Sequence, residues 1–95
     1  MPKVSVIIPT LNESAYLPAL LDALRGQTRP PDEVIVADAG STDGTVELVQ
    51  AHGARVVPGG MPAVGRNAGA QVAIGDLFLF FDADVLPPPD RKSVV

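Results

Sequence analysis

The 95-residue chain predicts an α/β fold, a mostly parallel sheet with helices on both faces, and three observations lead there. Short apolar runs alternate with helical patterns in the order β-α-β-α-β-α-β with short links, the order that parallel strands and crossover helices produce. The apolar runs are continuous rather than alternating, as expected of parallel strands buried on both sides. Hydrophobic residues make up 46% and charged residues 19%, a globular composition for a chain of one domain or part of one.

The elements follow in order. Val4-Ser5-Val6-Ile7-Ile8 is β-branched and reads as a buried strand stopped by Pro9. Asn12, Glu13 and Ser14 offer helix-start chemistry, and Leu17, Leu20, Leu21 and Leu24 then repeat on one helical face. Pro18 fits such a helix only near its first turn, and Gly26 with Pro30-Pro31 ends it. Glu33 to Ala37 is a second strand, followed by a turn cluster from Ala39 to Gly44. Thr45 to His52 predicts a second helix capped by Ser41 or Asp43 and closed by Gly53, with His52 as a C-terminal cap. Arg55-Val56-Val57 is a short third strand. A stretch rich in Ala and Gly, from about Pro62 to Ile74, predicts a helix packed close to the sheet, and Leu77 to Phe81 is a fully apolar last strand. Tyr16 is expected to pack.

Composition excludes several classes. With a net charge of −4 and seven scattered cations, the chain has no basic stripe of the kind nucleic-acid backbones require. It has no cysteine, hence no disulfide or thiolate metal site. The Met1-Pro2-Lys3-Val4 start lacks signal-peptide architecture, and the longest apolar run is too short to span a bilayer. The expectation is a soluble, cytoplasmic protein, with membrane association at the inner face left open for a longer parent protein.

In an open parallel sheet, ligands bind beyond the carboxyl ends of the strands. The chain puts Pro9, Thr10, Asn12 and Glu13 after its first strand, Asp38 and the Gly40–Gly44 turn after its second, and Asp82 and Asp84 after its last, with Arg66 on a nearby helix. Carboxylates gathered on one rim repel unless a cation or hydrogen-bond donors lie between them. Magnesium or manganese, hard ions with oxygen ligands, suit that need. Asp82-Ala83-Asp84 places two acids on either side of a small residue, with Asp84 and Asp82 directed at one ion, although acidic turns at strand ends are also ordinary. Asp38 is expected to accept a hydrogen bond from the imide N–H of a base, whereas Ser41, Thr42 and Asp43 read as turn and cap residues. Arg66 is a candidate partner for a diphosphate or a base carbonyl.

Together, Val6 to Glu13, Val34 to Thr45, Gly65-Arg66-Asn67-Ala68-Gly69 and Phe80-Phe81-Asp82-Ala83-Asp84 resemble family 2 glycosyltransferases, over Lys3 to about Leu86. The resemblance implies a GT-A type fold, a Rossmann-like sheet truncated here after its DxD strand, so that residues 1–95 form the nucleotide-sugar-binding part and the acceptor-binding part is absent. It also implies metal-assisted transfer of a sugar, with inversion, from a UDP- or GDP-linked donor to a hydroxyl. Pro9, Thr10 and Glu13 would line the nucleotide pocket, Asp38 would contact the base and Arg66 the base or phosphate. Asp82 would approach ribose or metal, Asp84 would bind the metal, and the general base would lie downstream, leaving this chain catalytically incomplete. Ala39 departs from the family pattern, in which a second Asp is common.

Two rivals remain at this stage. Phe80 to Val85 also mimics the opening of a haloacid-dehalogenase-type phosphatase site, and a non-catalytic nucleotide-binding fragment fits the same residues. A dinucleotide-binding domain is disfavoured, because the turn after the first strand lacks G-x-G-x-x-G.

Overall fold

The computed structural model describes residues 3–60 and 62–81. Four parallel strands form one sheet in the order β3-β2-β1-β4: β1 (Val4–Thr10), β2 (Glu33–Asp38), β3 (Arg55–Pro58) and β4 (Leu77–Phe80). Between them run α1 (Leu17–Arg25), α2 (Thr45–Ala51) and α3 (Pro62–Val72). The predicted class and order of elements are those observed. No helix among the described residues is long and apolar enough to cross a membrane.

Strand alternation sorts the side chains onto two faces. Val6, Ile8 and Val36 join Leu17, Leu20, Leu21 and Leu24 of α1 and Val49 of α2 in a single buried cluster. Ile7, Pro9 and Ala37 point the other way, toward α3. Helices therefore cover both faces. The small residues of α3 determine how closely it lies: a Cβ at Gly65 would stand 3.1 Å from Pro9 Cβ and 3.4 Å from Ala37 Cβ, and one at Gly69 would collide with Ile7.

Several boundaries differ from the sequence reading. β1 runs through Pro9 to Thr10, in register with Ala37 and Asp38 of β2, rather than stopping at Pro9. Ile7 C=O accepts from Phe81 on the β4 side, while Thr10 C=O accepts from Ala39 on the β2 side. By alternation, the N–H that Pro9 lacks would face the β4 side, past the last β1–β4 pair, Ile7 with Phe80, so no ladder bond is lost. Helix α1 starts at Leu17 with Pro18 in its first turn and no side-chain cap, because Asn12, Glu13 and Ser14 are engaged elsewhere. Helix α2 begins after Gly44 in a left-handed conformation, also without a side-chain cap; His52 does close it, its Nδ1 lying 3.0 Å from Leu48 C=O.

Four residues expected to be buried are not. Tyr16 is 54% exposed, since it sits at the turn before α1 and outside its leucine face. In β4, Leu77, Phe78 and Phe80 are 45%, 39% and 47% exposed, because β4 is an edge of the described sheet and α3 lies over β1, β2 and β3. Leu79 alone of that strand packs on the α1 cluster.

Candidate functional site

Chain direction turns around β1. From β1 the sheet grows to β2 and β3, then the chain returns through α3 to place β4 on the opposite side of β1. The carboxyl ends of β1 and β4 thus flank a topological switch point, where open α/β sheets form their ligand crevice. Pro9 and Thr10 end one strand there, and Phe81 follows the other, its N–H donating to Ile7 C=O at 3.1 Å.

Beside the switch point, the loops after β1 and β2 are closed on each other by side chains. Asn12 N–H donates to Ser41 Oγ at 2.8 Å, and Thr42 N–H returns to Asn12 Oδ1 at 2.9 Å. Glu13 N–H donates to the buried Thr45 Oγ1 at 3.1 Å. Ser14 donates twice to Asp43 Oδ2, from N–H at 3.1 Å and from Oγ at 2.8 Å. Asp43 Oδ1 accepts in turn from Thr45 N–H and Oγ1. Asn12 adopts φ 53°, a conformation tolerated by Asn and held here by both of its cross-loop bonds. Sequence reading took these residues for caps and turns. The Asp43–Thr45 bonds are local, as that reading expects, but the cross-loop partners lie about 30 positions apart, so no local pattern could pair them.

Asp38 is buried at the centre of this arrangement. Its Oδ1 accepts from Thr10 Oγ1 at 2.7 Å and Ser41 Oγ at 2.5 Å; its Oδ2 accepts from Gly40 N–H at 3.0 Å and Ser41 N–H at 2.8 Å. Burial pushes its carboxyl up, but these donors outweigh burial and hold it below its ordinary value. A base imide, the partner expected from the sequence, meets a carboxylate whose lone-pair positions are already in use.

Asp43 is solvent-exposed, and its carboxyl is held at about 2, first by the Thr45 hydroxyl, with Ser14 and the backbone adding to it against an opposing effect of desolvation. A depressed carboxylate stabilises the fold fully above its unfolded value of 3.8, and that contribution is lost as pH falls through about 2. Urea unfolding of the wild type and Asp43→Asn between pH 5 and pH 2 should therefore converge at the acid end, with the wild type the more stable at pH 5. A constant gap across that range would contradict the assignment.

The remaining rim candidates differ in placement. Helix α3 runs from the carboxyl edge, just after β3 and Gly59-Gly60, back to Ile74 and Gly75 at the opposite edge. Arg66 follows Gly65, which rests on Pro9 and Ala37, so it lies at the rim end of α3, half-buried and with no ion pair or hydrogen bond among the described residues. Glu13 is partly buried in the loop clasp. Asp82 and Asp84 lie outside the described residues. Among those described, no group of three or more His, Cys, Asp or Glu is placed to hold a metal ion.

The acids at the amino edge have a structural task. Asp32 accepts Val4 N–H at 2.7 Å, Asp76 accepts Lys3 N–H at 3.0 Å, and Glu33 accepts both Ser5 Oγ and Ile74 N–H at 2.7 Å. A cavity of about 220 Å³ lies at that edge, between α1, the Pro30-Pro31 turn and His52. Its two carboxylates, Asp32 and Glu33, already serve these bonds, and it is remote from the switch point, so the rim is the stronger site.

Comparisons with known proteins agree with this geometry. Residues 5–95 match the family model described as Glycosyl transferase family 2. Validoxylamine A glucosyltransferase of Streptomyces hygroscopicus subsp. limoneus is 38% identical over 100% of this chain, which spans 23% of that protein. The crystal structure of S. aureus TarS in complex with UDP superposes with a TM-score of 0.78 and 33% identity, covering 93% of this chain and 29% of that one. The mannosyltransferase PcManGT from Pyrobaculum calidifontis, in complex with GDP-Man and Mn2+, gives a TM-score of 0.78 and 32% identity, covering 92% and 29%. The chain thus spans roughly a quarter of the length of these relatives. The fold is of the GT-A type, and a haloacid-dehalogenase-type site is set aside.

Proposed function

The chain belongs to glycosyl transferase family 2, and from that premise we propose that it forms the donor site of a transferase that moves a sugar, with inversion and metal assistance, from a UDP- or GDP-linked donor to an acceptor hydroxyl. The observation that carries this reading is the switch point between β1 and β4, with Pro9 and Thr10 at its base, the clasped loops on one side and, on the other, Arg66 at the rim end of α3 with no partner among the described residues.

Each residue has a task in this reading. Pro9, Thr10 and the Asp38 loop floor the nucleoside, and Glu13 flanks it. The Arg66 guanidinium offers a planar fork of donors to the diphosphate. Asp82 and Asp84, next in the chain after Phe81, supply the oxygen ligands a hard divalent ion requires. Asp38 and Asp43 do not compete for that ion, because they are occupied by hydroxyl and amide donors. When bound, the ion neutralises charge developing on the departing diphosphate. The UDP and the GDP-Man with Mn2+ seen in similar structures support the donor class and the ion. Deprotonation of the acceptor falls to a base outside the residues named here.

Calorimetry of this chain with UDP and GDP, with and without Mn2+, tests the reading. Binding of one nucleotide is expected to strengthen about tenfold or more with Mn2+, and Arg66→Ala to weaken it by about tenfold, without turnover of the sugar nucleotide. Failure of both nucleotides to bind in saturating Mn2+ would sink the donor-site reading.

A further inference from the structure

Asp38 is the one buried acid among the described residues of the rim, and its surroundings leave it little to offer a ligand. An ionised carboxylate has about four acceptor positions. Thr10 and Ser41 hydroxyls occupy two on Oδ1, and the Gly40 and Ser41 N–H groups occupy two on Oδ2. The donors are committed as well. The Ser41 hydroxyl, which donates to Asp38, accepts from Asn12 N–H and so ties the β1 loop to the same carboxylate. Asp38 C=O accepts Gly59 N–H at 2.8 Å, fixing the turn that leads into α3. One side chain and its carbonyl thus hold the end of β1, the loop after β2 and the approach to α3.

We propose that Asp38 is a positioning residue, which fixes Thr10 and the Gly40–Thr45 loop as a preformed nucleoside floor without itself hydrogen-bonding the base. The proposal rests on the donor-site reading above and refines it: the imide of the base is read by some other group of the rim. The depressed carboxyl of Asp38 agrees, since a charged acceptor keeps its four donors throughout the neutral range.

The test compares UDP with its N3-methyl analogue, which lacks the imide hydrogen, on the wild-type chain and on Asp38→Asn, with Mn2+ present. Asp38→Asn is expected to weaken both ligands about tenfold, leaving the ratio of their affinities unchanged, because a loosened floor serves both alike. Circular dichroism confirms that the variant is folded at the assay temperature. Ser41→Ala removes one donor and leaves the carboxylate in place. It is expected to weaken UDP as well, and Asp38→Asn added to it should cost less than it does alone, since both act through one loop.

A ratio that collapses toward one in Asp38→Asn would mean direct contact with the imide and would overturn the proposal. So would unchanged UDP affinity in the folded variant, the result of a purely structural role. Should the wild-type chain bind neither ligand, the donor-site reading fails separately. Amide exchange then decides: faster exchange at Gly40, Ser41 and Asn12 in Asp38→Asn supports the positioning role, and unaltered exchange overturns it.

Discussion

Gly69→Val is expected to destabilise the chain by about 3 kcal/mol, a large part of the stability of a domain this small. A Cβ at this position lies well inside van der Waals contact of Ile7 Cγ2, with Ile7 Cγ1 at 3.2 Å and Cβ at 3.4 Å. Ile7 is fully buried in β1 between β2 and β4 and cannot swing away. The helix must lift off the sheet or the strand must shift, and either opens the packing of α3. Replacing Gly by a side chain favours a helix by less than about 1 kcal/mol, so the clash wins. Thermal unfolding should register a fall of roughly 12–20 °C. Gly26→Ala serves as the control: its Cβ would meet Asp22 C=O at 3.4 Å, an ordinary contact, and its φ of −82° suits any residue. A Gly69→Val chain within about 1 kcal/mol of wild type would contradict the close approach of α3 to β1.

Thr45→Val should cost about 2 kcal/mol although it keeps shape and volume. The Thr45 hydroxyl is buried, accepts Glu13 N–H at 3.1 Å and donates to Asp43. Valine leaves that N–H without an acceptor and Asp43 without its strongest donor. The loss is expected to reach the site, because Glu13 would no longer be tied to the start of α2 and the Asp43 carboxylate that holds Ser14 would lose a donor. Thr45→Ser keeps the hydroxyl and sacrifices one methyl group, so it should lose less than half as much. Urea midpoints of the two variants, with amide exchange at Glu13, provide the measurement. Equal losses in Val and Ser would assign the effect to the methyl group and remove the clasp from the account.

The candidate rim was legible in part. Apolar runs ending in polar clusters put Pro9, Thr10 and Asp38 at strand ends, and the structure pairs Thr10 with Asp38 in register. Arg66 was legible only as a residue on a helix near the strand ends; the contacts of Gly65 with Pro9 and Ala37 put it at the rim. Less legible was what the polar residues do. Asn12, Ser14, Ser41 and Asp43 have the chemistry of caps, and local reasoning assigned them to the nearest helix end. In the folded chain Asp43 and Ser41 keep local bonds, to Thr45 and Asp38, but all four residues also bond across the rim to partners far apart in sequence. The burial of β4 was overestimated for a related reason. An apolar run states that a strand can be covered on both faces, whereas its place at a sheet edge depends on strand order.

By itself, the sequence determined the type and order of the elements, the leucine face of α1 and the set of residues at the carboxyl ends, since periodicity, turn chemistry and strand direction are local properties. The tertiary structure alone decided that β4 lies beside β1, which creates the switch point, and that the Asp38 carboxylate is taken up by four donors from three neighbours. Strand order and hydrogen-bond partnership are settled by which distant segments compete for the same edge and the same lone pairs, and that competition exists only once the chain has folded.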